Sequence, residues 1–266
     1  MAVSSPNKKY TVTGLIKGTA TLDELITLIT NWQPAEPPFM YAKRVQSEGI
    51  LTKETAARAT DLVMHAFAAW LLQPDANAAH WLQKLVMRNI NRQAFRELIF
   101  LYKARSEAVL YDYVIERFWP AYHEGALYLQ TGEIVEFLRW GQEIGRIEKP
   151  WADYTRERLA HGILGALREV GVLREEKRYL YAYTPLEINS FTLAYLAYEL
   201  HFAGQTDAAL VEHPDWRLFG LERSRVVERL SELGEQGGLI VQQAGSVVRL
   251  TWLFASMDEV IDAYFR

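Results

Sequence analysis

From Thr21 to Glu143 apolar residues return every three or four positions, a period that permits little except packed helices. "TLDELITLITNW" opens with Thr21 and Glu24 at capping-box spacing and sets Leu22, Leu25, Ile26 and Ile29 on one face. "PPFMYAKRVQSEG" has prolines at a helix start, where a missing N–H costs nothing, and Gly49 past its end. The Ala-rich "TKETAARATDLVMHAFAAWLL" is closed by Pro74. "NAAHWLQKLVMRNINRQAFRELIFLYKAR" reads as one long helix or as two that meet near Asn89–Asn91. "SEAVLYDYVIERFW" is expected to stop at Pro120, with "GEIVEFLRWGQEIG" as the next long helix.

The pattern changes at "IEKPW", where Pro150 forbids a through-running helix and pushes Lys149 away from helical backbone. Beyond it helices alternate with strand signals. Tyr154 to Val170 is helical, and "KRYLYAY" alternates as a short strand does. "EINSFTLAYLAYELHFAG" is an apolar helix stopped by Gly204, and "ERSRVVERLSELGEQGG" an amphipathic one closed by glycines. "LIVQQAGSVVRLTW" then turns at Ala244–Gly245 as a β-hairpin, and "SMDEVIDAYFR" opens with a Ser256–Glu259 capping box. The expectation is a mainly α chain: an all-helical domain over 1–148, then a helical domain over 149–266 with small β-hairpins. A helix closed by glycine and followed at once by a hairpin makes the second domain winged-helix-like.

Composition removes several chemistries. No cysteine is present, which excludes disulfides, thiolate metal sites and cysteine nucleophiles. The six histidines fall in no ligand spacing, and no phosphate loop, dinucleotide fingerprint or nucleophile elbow occurs. No enzyme, cofactor or metal is therefore expected. "MAVSSPNKKYTVTG" lacks a signal-peptide core and no apolar run reaches membrane length, which makes the chain a cytoplasmic protein by expectation.

The net charge of −4 argues against a general nucleic-acid coat, but it is unevenly spread. Residues 1–150 carry a net +1 and residues 151–266 a net −5. Lys84, Arg88, Arg92 and Arg96 recur every fourth residue, and on one continuous helix they would make a single drifting cationic face. Such a face meets phosphates, or it is a solvated face with an acidic helix packed nearby. A break at Asn89–Asn91 would scatter it. A second group stands at the mouth of the helix in "WADYTRERLAHGILGALREVGVL". There Thr155 is placed to cap, and Arg158 in the first turn opposes the helix dipole and invites an anion, a phosphate or a carboxylate. Arg156 and Arg158, two apart, point to different sides.

Four landmarks resemble the BrxA family of BREX bacteriophage-defence systems. They are "AFRELIFLYKARSEAVLYDYVIERFW", "TGEIVEFLRWGQE", the "WADYTRERLAHGILGALREVGVL" segment with its Thr-Arg-x-basic opening, and "PLEINSFTLAYLAYEL" followed by "DWRLF". The family pattern favours Lys where this chain has Arg158. The resemblance implies two small helical parts, double-stranded DNA binding without catalysis, and action beside other BREX proteins. Lys84, Arg88, Arg92, Arg96, Thr155, Arg156 and Arg158 are then the expected phosphate partners, with a hairpin as wing. The rival expectation is a protein-interaction scaffold whose acidic second part docks a partner. A single-stranded RNA binder is third.

Overall fold

The structure, a computed structural model, describes residues 8–265 apart from positions 53 and 75; the N-terminal stretch read above for a targeting signal lies partly outside them. Helices α1 (Thr13–Lys17), α2 (Leu22–Asn31) and α3 (Pro38–Ser47) lead to α4 (Ala56–Leu62), which runs through a π turn at Val63–Ala68 into α5 (Ala69–Leu71). Next come α6 (Asn77–Met87), α7 (Arg92–Ser106) and α8 (Ala108–Tyr113), the last running through a π turn at Val114–Phe118 into α9 (Trp119–His123). Strand β1 (Tyr128–Gln130) precedes α10 (Thr131–Glu143), α11 (Asp153–Val170), β2 (Leu173–Lys177) and β3 (Leu180–Tyr183). Helices α12 (Ser190–Phe202), α13 (Asp207–Val211) and α14 (Arg223–Glu235) follow, then β4 (Ile240–Ala244), β5 (Val247–Thr251) and α15 (Met257–Tyr264). The chain is mainly α with small antiparallel sheets, as its periodicity predicts. No helix among the described residues is long and apolar enough to cross a membrane.

Local chemistry sets the boundaries. Thr21 accepts from the Glu24 N–H while the Glu24 carboxylate accepts from the Thr21 N–H, closing the expected box. Ser256 caps α15, but Glu259 reaches back to the Ala255 N–H rather than to the cap itself. The long cationic segment is two helices: Asn89 takes a left-handed φ of 57°, and the Asn91 side chain accepts from the Gln93 and Ala94 N–H groups to start α7. Pro120 does not end its helix as expected. The π turn before it widens the ladder, so the Trp119 N–H reaches back to the Val114 carbonyl and Pro120, with no N–H to give, begins the next turn.

Two sheets form. The larger has the order β1-β3-β2, all antiparallel, with Leu129 opposite Tyr181 and Leu173 opposite Tyr183. Its outer strand β1 comes before α10 and α11, and its hairpin after them. Tyr179, at φ 65°, turns the hairpin and its carbonyl accepts from the Thr131 N–H at 3.4 Å, tying the tip to the start of α10. The strand signal read at "KRYLYAY" is thus the second arm of a hairpin whose first arm, β2, is charged and exposed. The expected β4–β5 hairpin is a separate two-stranded sheet.

The buried side chains form two clusters, and each draws from both sides of Pro150. One gathers α2 to α6 with Phe191, Tyr195 and Tyr198 of α12 and Val260 and Ile261 of α15. The other gathers α8 to α11, the sheets and α14. Helices α7 and α12 lie between and feed both: Phe95 and Leu98 face one cluster, Leu101 and Ala104 the other. A helix apolar on all sides can only sit between two layers.

Glu97, in α7, is fully buried and accepts from the Asn189 N–H at 3.0 Å and the Gln93 amide at 3.3 Å. Burial holds its carboxyl above the usual range, against the pull of its hydrogen bonds. A raised folded value means that its stabilisation is complete below the unfolded value, about 4, and is lost as pH rises through the folded one. Glu97→Gln keeps the acceptor and removes the proton. In urea unfolding across pH, the stability difference between variant and parent is expected to shift in the variant's favour as pH climbs; parallel profiles would refute the assignment.

Candidate functional site

The seven expected phosphate partners do not form one surface. Lys84 of α6 and Arg88, the residue just past its end, lie one turn apart, facing Asp258 and Asp262 at the same spacing on α15. Lys84 pairs with Asp258, and Arg88 donates to Asp262 at 2.6 Å and to the Phe265 carbonyl at 3.3 Å. This is the acidic helix packed against a cationic face that the sequence left open as an alternative. Arg92, across the helix break, pairs with Asp23 of α2 at 3.0 Å, both side chains largely exposed. Arg96 is half-buried near Glu169 of α11, whose carboxyl burial raises and the charges of Lys103 and Arg96 lower.

At α11 the helix begins at Asp153 with Ala152 as its cap, so Thr155 lies inside the first turn rather than capping it. Arg156 turns inward. It donates to Asp153 at 2.8 Å and to Gln142 of α10 at 3.2 Å, and its Nε is buried without a partner. Its guanidinium, through its hydrogen bond and then its charge, holds the exposed Asp153 carboxyl below its ordinary range. Arg156 is therefore a staple between two helices. Arg158 points outward, over the Tyr154 ring at 5.7 Å, with no carboxylate paired to it among the described residues.

Arg158 belongs to an exposed stripe that pairwise spacing had missed: Tyr154, Arg158, His161, Gly165 and Arg168, each three or four residues from the last. The signal was present in the sequence as the non-apolar complement of Leu159, Ile163 and Leu167. The β2–β3 tip adjoins it. His161 and Tyr179 have ring centroids 6.3 Å apart, and Arg178 stands over the Tyr179 ring at 4.7 Å. Arg168 and Arg174 are answered by Glu175 and Glu176. Arg158, Lys177 and Arg178 are left as cations without an ion-pair partner among the described residues. Two glycines of α11 differ in kind. A Cβ on Gly162 would meet the Leu15 carbonyl at 2.7 Å, so close packing of α1 requires it, whereas Gly165 has nothing within 4 Å.

The most polar interior feature lies elsewhere, at the ends of α7 and α12. Arg105 donates to Asp215 at 2.8 Å and to Glu199 at 2.9 Å, and the Tyr111 and Tyr102 hydroxyls donate to the same two carboxylates.

The family model described as BrxA matches residues 8–193. The chain belongs to the BrxA family. Membership carries a BREX-type defence role, and the matched span takes in α10, α11, the β2–β3 hairpin and the start of α12. No curated protein and no solved structure matches the chain.

The two kinds of ion pair should separate cleanly in denaturant unfolding. Lys84→Ala and Arg88→Ala are each expected to cost at most about 1 kcal/mol, as exposed pairs do. Arg105→Met, which strands the buried Asp215 carboxylate, is expected to cost about 3–5 kcal/mol.

Proposed function

We propose that this BrxA-family chain is a non-catalytic BREX accessory protein that binds double-stranded DNA through α11 and the β2–β3 hairpin. One observation carries the reading. After the α8–α9 helix the chain runs β1, α10, α11, β2, β3 with sheet order β1-β3-β2, which is the connectivity of a winged helix. In that scheme α11 stands in the place of the groove-facing helix and Lys177 to Tyr179 form the wing tip. The wing so read is the first hairpin, and the β4–β5 hairpin is left outside it.

The chemistry of the face supports backbone contact more than base readout. Arg158, Lys177 and Arg178 offer charge, while Tyr154, His161 and Tyr179 offer hydroxyl and ring donors that reach phosphate oxygens. Glu157, Glu175 and Glu176, also exposed on α11 and β2, hold the local net charge low, which limits the number of phosphates neutralised. Gly165 fits this reading as well. A glycine inside a helix costs about 0.5–1 kcal/mol relative to alanine, and no neighbour within the chain needs it, but a backbone laid close across α11 would. Lys84 and Arg88, already answered by α15, are weaker partners than Arg92, whose exposed pair with Asp23 exchanges readily for a phosphate.

The test is a salt titration of affinity for a plain duplex, read by fluorescence anisotropy. With three unpaired cations the log–log slope is expected near about −3, at about −0.9 per phosphate. Arg158→Glu with Arg178→Glu should weaken binding to every sequence and flatten that slope, whereas Lys84→Ala with Arg88→Ala should leave it nearly unchanged. Loss of slope in the second pair and not the first would move the contact to α6. Absence of binding even at about 50 mM salt would leave the scaffold reading in possession.

Gly165→Ala makes an independent check with two signs. Unfolding stability is expected to rise by about 0.5–1 kcal/mol while DNA affinity falls. A variant that binds as well as the parent would show that nothing approaches the helix there.

A further inference from the structure

A cavity of about 640 Å³ opens over the Arg105 seam, between α5, α6, α7 and α12. That volume is in the range of small-molecule sites, and the walls are largely aromatic. Two of the rings already carry a cation: Lys103 stands over Trp70 at 4.7 Å and Arg105 over Tyr102 at 5.4 Å. The other two do not. Trp81 of α6 is half-buried and meets Tyr195 nearly at right angles, at 6.1 Å, and Phe202 at the end of α12 is 38% exposed. No cation stands over either ring among the described residues.

The polar floor holds two groups that folding leaves unsatisfied. His213, 8% exposed, is the first. Its Nδ1 accepts the Asp215 N–H at 3.3 Å, which puts the ring proton on Nε2. The Asp215 carboxylate lies 3.5 Å from the same Nδ1 but is engaged by Arg105 and the Tyr111 hydroxyl. The Nε2–H has no acceptor among the described residues. Glu199 is the second. One of its oxygens accepts from the Tyr102 hydroxyl and from Arg105. The other is buried and makes no hydrogen bond, Arg105 lying 2.8 Å away but out of line. Buried polar groups are nearly always satisfied, so the floor offers one donor and one acceptor to whatever enters.

Charge narrows the choice. The ionised groups of the lining are Lys8 and Arg105 against Glu199 and Asp215, and burial lowers the His213 pKa so that its imidazole stays neutral. The charges cancel, and an ionic ligand would lose its hydration without a net counter-charge. We propose that the cavity binds a small neutral heteroaromatic molecule. Its ring lies against Trp81 and Phe202, it donates an N–H to Glu199, and its acceptor takes the His213 Nε2–H.

Chemical-shift titration of the full chain, followed on the tryptophan indole N–H signals, tests this with uncharged benzimidazole, which has one donor and one acceptor. Indole lacks the acceptor, 1-methylbenzimidazole lacks the donor, and benzoate is an anion of similar size. Benzimidazole is expected to saturate one site. Indole and 1-methylbenzimidazole should each bind about fivefold more weakly, as the loss of one hydrogen bond requires, and benzoate should not saturate. His213→Asn keeps an acceptor for the Asp215 N–H and removes the Nε2–H. It should bring benzimidazole down to the level of indole and leave indole itself unmoved. Ala203→Trp, just past the end of α12 on the cavity wall, should fill the space and abolish binding without moving the unfolding midpoint. No saturable binding, equal binding of the three bicyclic probes, or saturation by benzoate would each overturn the proposal. So would indifference to Ala203→Trp, or an equal weakening of indole and benzimidazole by His213→Asn.

Discussion

Arg105 is the point through which the two cores are joined. It sits at the end of α7 with its guanidinium held between Glu199 of α12 and Asp215. Among the described residues those helices are the only long ones that enter both buried clusters, so their relative placement fixes the separation of everything packed on either side. Apolar packing alone would let two smooth helices slide, since dispersion contacts are non-directional. A three-centre ion pair with two tyrosine hydroxyls on the same carboxylates has one geometry, and it pins the register. Its charges are costly to bury and costly to strand, which gives the seam a specific fit rather than mere cohesion.

From this frame the outer elements take their places for local reasons. Helix α11 lies against α10 through the Arg156 staple and against α1 through Gly162. The hairpin is held by β1 and by the Thr131 N–H. The exposed side of α11 is thus presented by a rigid back, and a side chain on it such as Arg158 has its direction set before any partner arrives. Preorganisation of that kind suits the DNA-binding role proposed above, because phosphate contacts fix position more than they discriminate sequence.

How much of this was legible depended on the range of the interaction that decides each feature. The helix start at Thr21 and the stop at Gly204 are written within four residues of themselves and sequence spacing read them directly, whereas the start at Asn91 was left open between one helix and two. β1 was not read because three residues carry no period, and its partner β3 comes some fifty positions later. The cationic spacing of Lys84 and Arg88 was visible, but the carboxylates that answer it lie 174 residues on in α15. Pro120 misled because the rule it obeys assumes an unbroken α ladder, and the π turn before it changes the ladder. At α11 the pair Arg156 and Arg158 was recognised as facing different ways. Only the packing of α10 decided that Arg156 faces in and Arg158 out.

The span that marks the family ends at residue 193, in the first turn of α12. Everything on the α11 face lies inside it, as does Arg105, yet Glu199 and Asp215, the two acids of the seam, lie beyond it. The matched stretch therefore carries Arg105 without the two carboxylates that hold it. A cut at that boundary would leave the Arg105 guanidinium buried with neither of its acids, so the α11 face is held in shape by residues from both sides of it.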